Sequence, residues 1–366
     1  MRFHSRHKRG TTSAGRRMNS IPEMRRRFPA CFRLLISVLS FGPTYGLNIA
    51  ITGSSQGIGL DAAKRLIAEG HTIFHACRNQ KRADVAVEEA GGGIPLVCDL
   101  ADLASVRSFA DTLEKEVSAL DVLCLNAAVA PSTKASAPKL TKDGFDECIG
   151  TNHLGHFLLA NLLHDHLRLD GGGKLVVTAS SVHDPDKPGG DVSGNGGATL
   201  GDLSGLGVDL STRDPNASTM VDGTVEYDGG KVYMDSKLCN ILFFREALKR
   251  WGDGDISIRS FNPGFIPSSG LFRAPRKDNW LGATAFTFVA GLIGFAVPIT
   301  VGGERLAYMA LADETEVPSG SYLSGEVGSR GSCVAEGFCQ SEVSKEASDD
   351  ALAANLWDAS AAIVGL

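Results

Sequence analysis

Short apolar runs alternate with amphipathic stretches from residue 47 onward, and no other feature of the sequence constrains the fold as strongly. The apolar runs have the length of buried strands, and the stretches between them repeat apolar residues at helical spacing. Such alternation produces βαβ units whose helices cover both faces of a parallel sheet. We therefore predict an α/β fold with a doubly wound parallel sheet, a Rossmann fold, as a single domain over residues 47–366. The predicted strands are 47–51, 72–76, 95–98, 122–125, 175–178 and 257–261, and the predicted helices are 57–69, 102–117, 143–168 and 231–251.

Two segments depart from this rhythm. Residues 183–230 are rich in Gly, Asp, Ser and Pro, which predicts a long insertion before the helix at 231–251. Residues 280–301 contain no charge but are interrupted by glycine and proline, which makes a continuous membrane span doubtful. We expect a buried or interfacial helix there, within a substrate lid at 266–301, and contact with a membrane surface is a secondary hypothesis.

The N-terminal 46 residues differ in charge from the rest of the chain. They contain ten Lys and Arg and one Glu, which leaves 26 basic and 41 acidic residues for the remainder. An acidic body of this kind repels phosphate backbones, so we expect no nucleic-acid partner. Arginines at 25–27 precede a short apolar stretch at 31–41, the layout of a targeting leader. The Ser40-Phe41 junction resembles the cleavage site of two-part plastid leaders, which predicts plastid import; a secretory leader or membrane association is the alternative.

Cysteine and histidine usage predicts neither disulfides nor a metal. The eight cysteines have no C-x-x-C spacing, and several lie in apolar runs, as reduced buried thiols do. His153 and His156 are close in sequence, as are His164 and His166, yet no Cys or carboxylate is spaced to complete a ligand set. We expect no bound metal, and we expect His153 and His156 to be packing or solvated residues.

A glycine-rich turn follows the first predicted strand and leads into a helix. Its glycines, Gly53, Gly57 and Gly59, permit a tight turn and a close approach of a pyrophosphate, whose charge the helix N-terminus favours. After the second strand, Arg78 stands where an acidic residue would bind the ribose of NAD. A guanidinium suits the 2′-phosphate of NADP, so NADPH is the predicted cofactor; a solvated surface arginine is the alternative.

Tyr233 and Lys237 lie four residues apart on a predicted helix, which brings a phenol and an ammonium together on one face. The lysine charge, together with the positive charge of the oxidised nicotinamide, would lower the pKa of the tyrosine toward the working pH and let it donate or accept a proton. Ser181, at the end of the fifth strand, would hydrogen-bond the reacting oxygen or orient the substrate, and Ser180 is its rival.

The glycine turn, followed about 180 residues later by this tyrosine and lysine, resembles the short-chain dehydrogenase/reductase family. The resemblance implies that Asn152 holds a proton-relay water, that Asp99 meets the adenine, and that Asn126 lines the cofactor cleft. The cofactor contacts predicted on all these grounds are Gly53, Ser55, Gln56, Gly57, Ile58, Gly59, Arg78, Asp99, Leu100, Asn126, Ala127, Tyr233, Lys237, Pro263, Gly264 and Ile266.

Several segments are similar, more narrowly, to the light-dependent NADPH:protochlorophyllide oxidoreductases. They are residues 126–129, 151–159, 233–240, 270–273, 346–366, and the parts 198–206 and 220–223 of the insertion. The resemblance implies light-driven reduction of protochlorophyllide to chlorophyllide in chlorophyll biosynthesis, with Tyr233 as proton donor. It implies a small-molecule substrate, and it allows a homo-oligomer and peripheral contact with a plastid membrane. Cys239 would lie near the pocket or pack in the core.

Two positions depart from that family near the presumed pigment pocket. Phe265 replaces a cysteine, and Ala130 replaces an aromatic residue. Two other functions therefore stay open. One is a short-chain enzyme that acts in darkness on a carbonyl or alcohol, such as a retinoid or steroid-like compound. The other is a pigment- or NADP-binding protein with little turnover.

Overall fold

The computed structural model describes most of the chain beyond the predicted leader. The described residues are 46–168, 172–191, 194, 196–206, 219–252, 256–272, 296–325 and 329–366. The leader predicted at 1–46 lies outside them except for Gly46, and so does the part of the predicted lid at 273–295. Within the described ranges, no helix has both the length and the apolar character that a membrane span needs.

Among the described residues, eight strands form one sheet. The strands are β1 Asn48–Thr52, β2 Thr72–Cys77, β3 Ile94–Val97, β4 Val122–Leu125, β5 Gly173–Thr178, β6 Ile256–Asn262, β7 Tyr322–Gly325 and β8 Phe338–Gln340. Their order across the sheet is β3-β2-β1-β4-β5-β6-β7-β8. Every neighbouring pair is parallel except the last, in which β7 and β8 are antiparallel. The predicted doubly wound α/β sheet is confirmed.

The helices that the structure describes are α1 Gly57–Ala68, α2 Gln80–Ala90, α3 Leu103–Glu116, α4 Gly155–Arg168, α5 Gly229–Trp251, α6 Ile299–Leu311 and α7 Asp350–Val364. Helices cover both faces of the sheet and bury the two largest apolar clusters of the described residues. One cluster joins β1 to α1 and α6, and the other joins the opposite face to α3, α4, α5 and α7. Because the chain reverses its direction of sheet growth between β1 and β4, a crevice opens at the carboxyl ends of these strands.

The helix predicted at 143–168 begins later and is not uniform. Asp146 caps a short helical turn by accepting the backbone N–H groups of Cys148 and Ile149. The chain then widens into a buried π-helical turn, Gly150–Leu154, before α4 starts. π-turns of this kind are frequent at functional sites.

The insertion is attached to α5 by a buried ion pair. Lys231 Nζ lies 2.8 Å from Asp235 Oδ1 and donates to the Thr199 carbonyl at 2.9 Å. Asp235 Oδ1 also accepts the backbone N–H of Thr199 at 3.0 Å. Burial raises the pKa of Asp235 to about 7, and the Lys231 charge opposes that rise. The described part of the insertion is thus fixed to the helix that follows it.

The C-terminal end of α6 is capped by Lys174, a residue of β5. Lys174 Nζ donates to the carbonyls of Ala310, Leu311 and Ala312 at 2.9–3.1 Å. A Lys174→Met substitution leaves these acceptors without the ammonium, so we expect the free energy of unfolding to fall by roughly 1–3 kcal/mol. Urea unfolding measures the change.

A matched control is Lys64→Met, because Lys64 is exposed and lies 3.6 Å from an exposed Glu89 carboxylate. That substitution should change the free energy of unfolding by less than about 0.5 kcal/mol. Equal effects of the two substitutions would contradict the capping role of Lys174.

Candidate active site

A cavity of about 1490 Å³ lies at the carboxyl ends of the central strands. It exceeds the roughly 300–1,000 Å³ usual for small-molecule sites, so it has room for more than one ligand. Ser181 and all sixteen predicted cofactor contacts line it, Tyr233 and Lys237 among them, whereas Asn152 does not. Residues that the sequence places far apart are therefore gathered around one space.

The glycine-rich turn between β1 and α1 leaves its backbone open to the cavity. Gly53 has a backbone φ of +69°, a value that residues with a side chain rarely adopt. A Cβ on Gly59 would lie 2.8 Å from both the Asn126 amide nitrogen and the Gly53 carbonyl oxygen. The Gln56 side chain makes no cap hydrogen bond to the first turn of α1. The turn is thus suited to a phosphate placed against a helix N-terminus.

Thr52, the last residue of β1, connects this turn to the rest of the site. Its Oγ1 accepts the backbone N–H groups of Asn126 at 2.8 Å and Ala127 at 3.0 Å. Oγ1 also lies 2.9 Å from His156 Nε2, while His156 Nδ1 lies 3.1 Å from the Asn152 carbonyl. A carbonyl only accepts, so Nδ1 donates to it, and Nε2 accepts the Thr52 hydroxyl proton. Burial lowers the pKa of His156 to about 4, which keeps the ring neutral.

Thr52 is not among the site residues predicted from the sequence, although its position at the end of the first strand was a usable signal. The sequence predicts His156 only as a packing or solvated residue. In the structure, both nitrogens of the buried His156 ring are hydrogen-bonded. One bonds the π-helical turn that precedes α4, and the other bonds Thr52 at the end of β1. His156 therefore links the π-helical turn to the end of β1, on the side of the cavity where the cofactor is predicted to bind.

Two arginines lie at the end of the cavity next to β2. Arg78 Nε lies 3.3 Å from Asp99 Oδ2, and just over half of the Arg78 side chain is exposed. Arg82, in the first turns of α2, places its guanidinium 3.5 Å from the Ser55 hydroxyl and also lines the cavity. Arg82 is not among the predicted site residues, because the sequence pattern predicts no helix over this segment. Two guanidiniums beside the glycine turn suit a phosphate group.

Tyr233 and Lys237 project from α5 into the cavity. Lys237 Nζ lies 5.7 Å from the Tyr233 ring centroid and donates to the Thr178 carbonyl at 3.3 Å. Burial lowers the pKa of Lys237 to about 8. Burial raises the pKa of Tyr233, and the hydrogen bond with Ser180 only partly opposes this. The protein's own groups therefore keep the phenol protonated at neutral pH. A lowering of its pKa by the lysine and nicotinamide charges together stays a prediction.

The two adjacent serines after β5 occupy different positions relative to the phenol. Ser180 forms the side-chain hydrogen bond to Tyr233, whereas Ser181 begins a short 3₁₀ turn, Ser181–His183, on the cavity wall. The structure gives the contact with Tyr233 to the rival serine. A role of Ser181 toward the reacting oxygen stays a prediction.

Asn152 lies behind the cavity wall with its side chain fully buried. Its Oδ1 accepts the Val129 backbone N–H at 2.8 Å, and its Nδ2 donates to the Val129 carbonyl at 2.9 Å and to Ser236 Oγ at 3.0 Å. The amide thus joins the loop after β4 to α5. The proton-relay role stays a prediction.

The positions that depart from the resembled family do lie at the cavity. Phe265 and Ala130 both line it, whereas Cys239 is fully buried in α5 and does not. The seven cysteines that the structure describes are free thiols. Among the described residues, no group of three or more His, Cys, Asp or Glu side chains could hold a metal ion.

Comparison with known proteins gives concordant matches. Residues 47–190 match the family model described as short chain dehydrogenase. The chain is 38% identical to protochlorophyllide reductase A of Oryza sativa over 87% of its own length and 80% of that protein. It is 37% identical to protochlorophyllide reductase of Chlamydomonas reinhardtii over 86% of its length and 77% of that protein. A solved structure of an uncharacterized Mycobacterium paratuberculosis protein aligns with TM-score 0.60 and 26% identity, over 87% of this chain and 93% of that one.

The Thr52 hydroxyl provides a direct test of how the site is held. A Thr52→Val substitution keeps the shape but leaves the N–H groups of Asn126 and Ala127 and the His156 ring without their partner. We expect unfolding free energy to fall by about 2–4 kcal/mol and dinucleotide affinity to fall with it. Thr52→Ser, which keeps the hydroxyl, should retain most of the unfolding free energy and most of the dinucleotide affinity. Calorimetry and dinucleotide titration measure them, and a valine variant with wild-type values would refute the connection.

Proposed function

The chain belongs to the protochlorophyllide reductase family of short-chain dehydrogenases, and from this membership we propose that it is an NADPH-dependent oxidoreductase that reduces protochlorophyllide to chlorophyllide in light. The observation that carries the proposal is the pairing of Tyr233 with Lys237 at a cavity large enough for a dinucleotide and a second large ligand. The substrate is a small molecule.

The residues at the glycine turn fit NADPH. Beyond the chain neighbours of Gly57 and the backbone of its own helix, no atom of the described residues lies within 4 Å of the position that a Cβ on Gly57 would take, and the first turn of α1 can receive the pyrophosphate there. Arg78 and Arg82 would hold the 2′-phosphate that distinguishes NADPH from NADH. Asn126, Pro263 and the remaining predicted contacts would line the rest of the dinucleotide site. When bound, NADPH supplies the hydride.

The chain's own residues supply and position the proton. Tyr233 keeps its phenolic proton because burial raises its pKa. It can therefore donate this proton to the ring carbon next to the one that receives the hydride. Ser180 orients the phenol through their hydrogen bond. The Lys237 ammonium lies beside the ring and stabilises the phenolate that remains after proton transfer. Asn152 holds the loop after β4 against α5.

Light is required because of the substrate's chemistry. A double bond in a conjugated ring has little of the polarity that makes a carbonyl accept hydride. Excitation of the pigment overcomes this, so the protein's part is to position the reactants and to supply a proton. Ala130 and Phe265 would contact the ring in place of the aromatic and thiol side chains usual in the family.

The remaining parts of the proposal concern location and organisation. Residues 1–46 would direct the chain to a plastid, which agrees with relatives named chloroplastic. Residues 47–366 would form the mature domain, with the insertion at 183–230 and the lid at 266–301. The uncharged stretch at 280–301 would support peripheral membrane contact, and a homo-oligomer is compatible with this organisation.

A second candidate function is favoured by Phe265. An aromatic side chain on the cavity wall, without the family's thiol, also suits an apolar carbonyl substrate reduced in darkness. The two candidates differ in whether light is needed, so one assay separates them.

A flash experiment tests the proposed function. Purified protein is mixed with NADPH and protochlorophyllide in darkness, and absorbance spectra are recorded before and after a flash. We expect red-shifted chlorophyllide only after the flash. Tyr233→Phe should lower the yield at least about a hundredfold, because it removes the proton donor, while NADPH affinity stays within about twofold.

Two results would contradict this account. NADPH consumption in darkness with a carbonyl compound, and none with the pigment, would favour the second candidate. Full photoconversion by the Tyr233→Phe variant would exclude Tyr233 as the proton donor.

The pKa of Lys237 predicts a pH dependence. Because burial lowers it to about 8, the ammonium is present below that pH and is lost as the pH rises through it. Photoconversion per flash should therefore decline above about pH 8 at saturating NADPH. In a Lys237→Arg variant the charge persists, so any residual activity should lack this alkaline decline. A wild-type profile that is flat to about pH 10 would contradict the role of the ammonium.

A further inference from the structure

A second phenol lies at the same cavity. Tyr322, the first residue of β7, is 2% exposed and lines the cavity. Its hydroxyl oxygen is buried and has no hydrogen-bond partner among the residues that the structure describes. Because an unpaired buried hydroxyl lowers stability, such a group is expected where a ligand completes the hydrogen bond.

The neighbours of Tyr322 fix its ring without pairing its hydroxyl. The His183 ring stands edge-on to it, with centroids 5.5 Å apart and an interplanar angle of 88°. His183 Nδ1 donates to the Ser180 carbonyl at 2.7 Å, and Nε2 accepts the Ser344 backbone N–H at 3.2 Å. Both imidazole nitrogens are therefore engaged elsewhere.

The phenol keeps its proton near neutral pH and is therefore able to donate a hydrogen bond. Burial raises the pKa of Tyr322, and the nearby Asp184 carboxylate raises it further. An acceptor oxygen on a ligand in the cavity would satisfy this donor.

The position of Tyr322 relative to the proton donor points to the substrate. His183 bonds the Ser180 backbone, and the Ser180 side chain bonds Tyr233. Tyr322 thus packs on the wall that also carries Ser180. Its strand β7 is four positions from β1, the strand that precedes the glycine turn, in the order of the sheet.

We propose that Tyr322 is a specificity-determining residue that donates a hydrogen bond to a carbonyl or carboxylate oxygen on the rim of the ring substrate. The proposal rests on the proposed function, because protochlorophyllide has such oxygens at its periphery. It adds a contact that orients the ring relative to Tyr233. This tyrosine is not among the site residues predicted from the sequence, because it belongs to no recognised motif.

The test uses Tyr322→Phe, which removes only the hydroxyl. We expect the variant without ligands to unfold at the same temperature as wild type or higher, because a buried unpaired polar atom is lost. The dissociation constant for protochlorophyllide, titrated in darkness by absorbance, should rise about tenfold. The dissociation constant for NADPH should stay within about twofold.

Tyr308→Phe is the matched control, because Tyr308 is half-buried on α6 and does not line the cavity. It should leave pigment affinity unchanged.

Three results would overturn the proposal: unchanged pigment affinity in Tyr322→Phe, a lower unfolding temperature without ligands, or weakened NADPH binding instead. Wild-type protein that binds the pigment but does not photoconvert it would contradict only the proposed function, and the binding comparison would still decide the role of Tyr322. Wild-type protein that binds no pigment would overturn both.

Discussion

The buried hydroxyl of Thr52 is the interaction on which the site depends. One oxygen accepts two backbone N–H groups at the end of β4 and donates to the His156 ring, which in turn donates to the Asn152 carbonyl in the π-helical turn. The glycine turn, the loop after β4 and the turn before α4 therefore share one hydrogen-bonded frame. Any ligand held by the glycine turn has a defined position relative to the loop that Asn152 fastens to α5.

Helix α5 uses two interleaved pairs at a spacing of four residues. Tyr233 and Lys237 face the cavity, whereas Lys231 and Asp235 hold the insertion. The pairs are offset by two residues, which is about 200° around a helix, so they project from different sides. One helix thus carries the chemistry on one face and fixes the adjoining insertion on another. Because both of these faces are covered, most residues of α5 are buried.

The sequence was sufficient to predict the elements whose apolar residues form a continuous run or stripe. All six predicted strands are present, and the resemblance to the protochlorophyllide oxidoreductases is confirmed. Helix α2 was missed because its buried face consists of Ala83, Ala86 and Ala90, which give a weak apolar pattern. Strand β8 has only three residues and depends on its pairing with β7.

The site was less predictable where two effects compete. The lysine and nicotinamide charges predict a lowered pKa for Tyr233, whereas burial within the protein, the extent of which the sequence does not reveal, raises it. Adjacent serines could not be ranked by spacing, because the 3₁₀ turn after β5 decides which one meets the phenol. Tyr322 follows no motif, and only the fold brings it to the cavity.

The central claim is that Tyr233 delivers a proton to a pigment ring held in this cavity beside NADPH. A structure of the complex with NADPH and protochlorophyllide, obtained in darkness, tests it most directly. We predict that the Tyr233 oxygen lies within about 3.5 Å of the ring carbon that gains the proton, as reacting atoms do in a productive arrangement. A pigment bound outside the cavity, or one whose reducible bond faces away from Tyr233, would contradict the account.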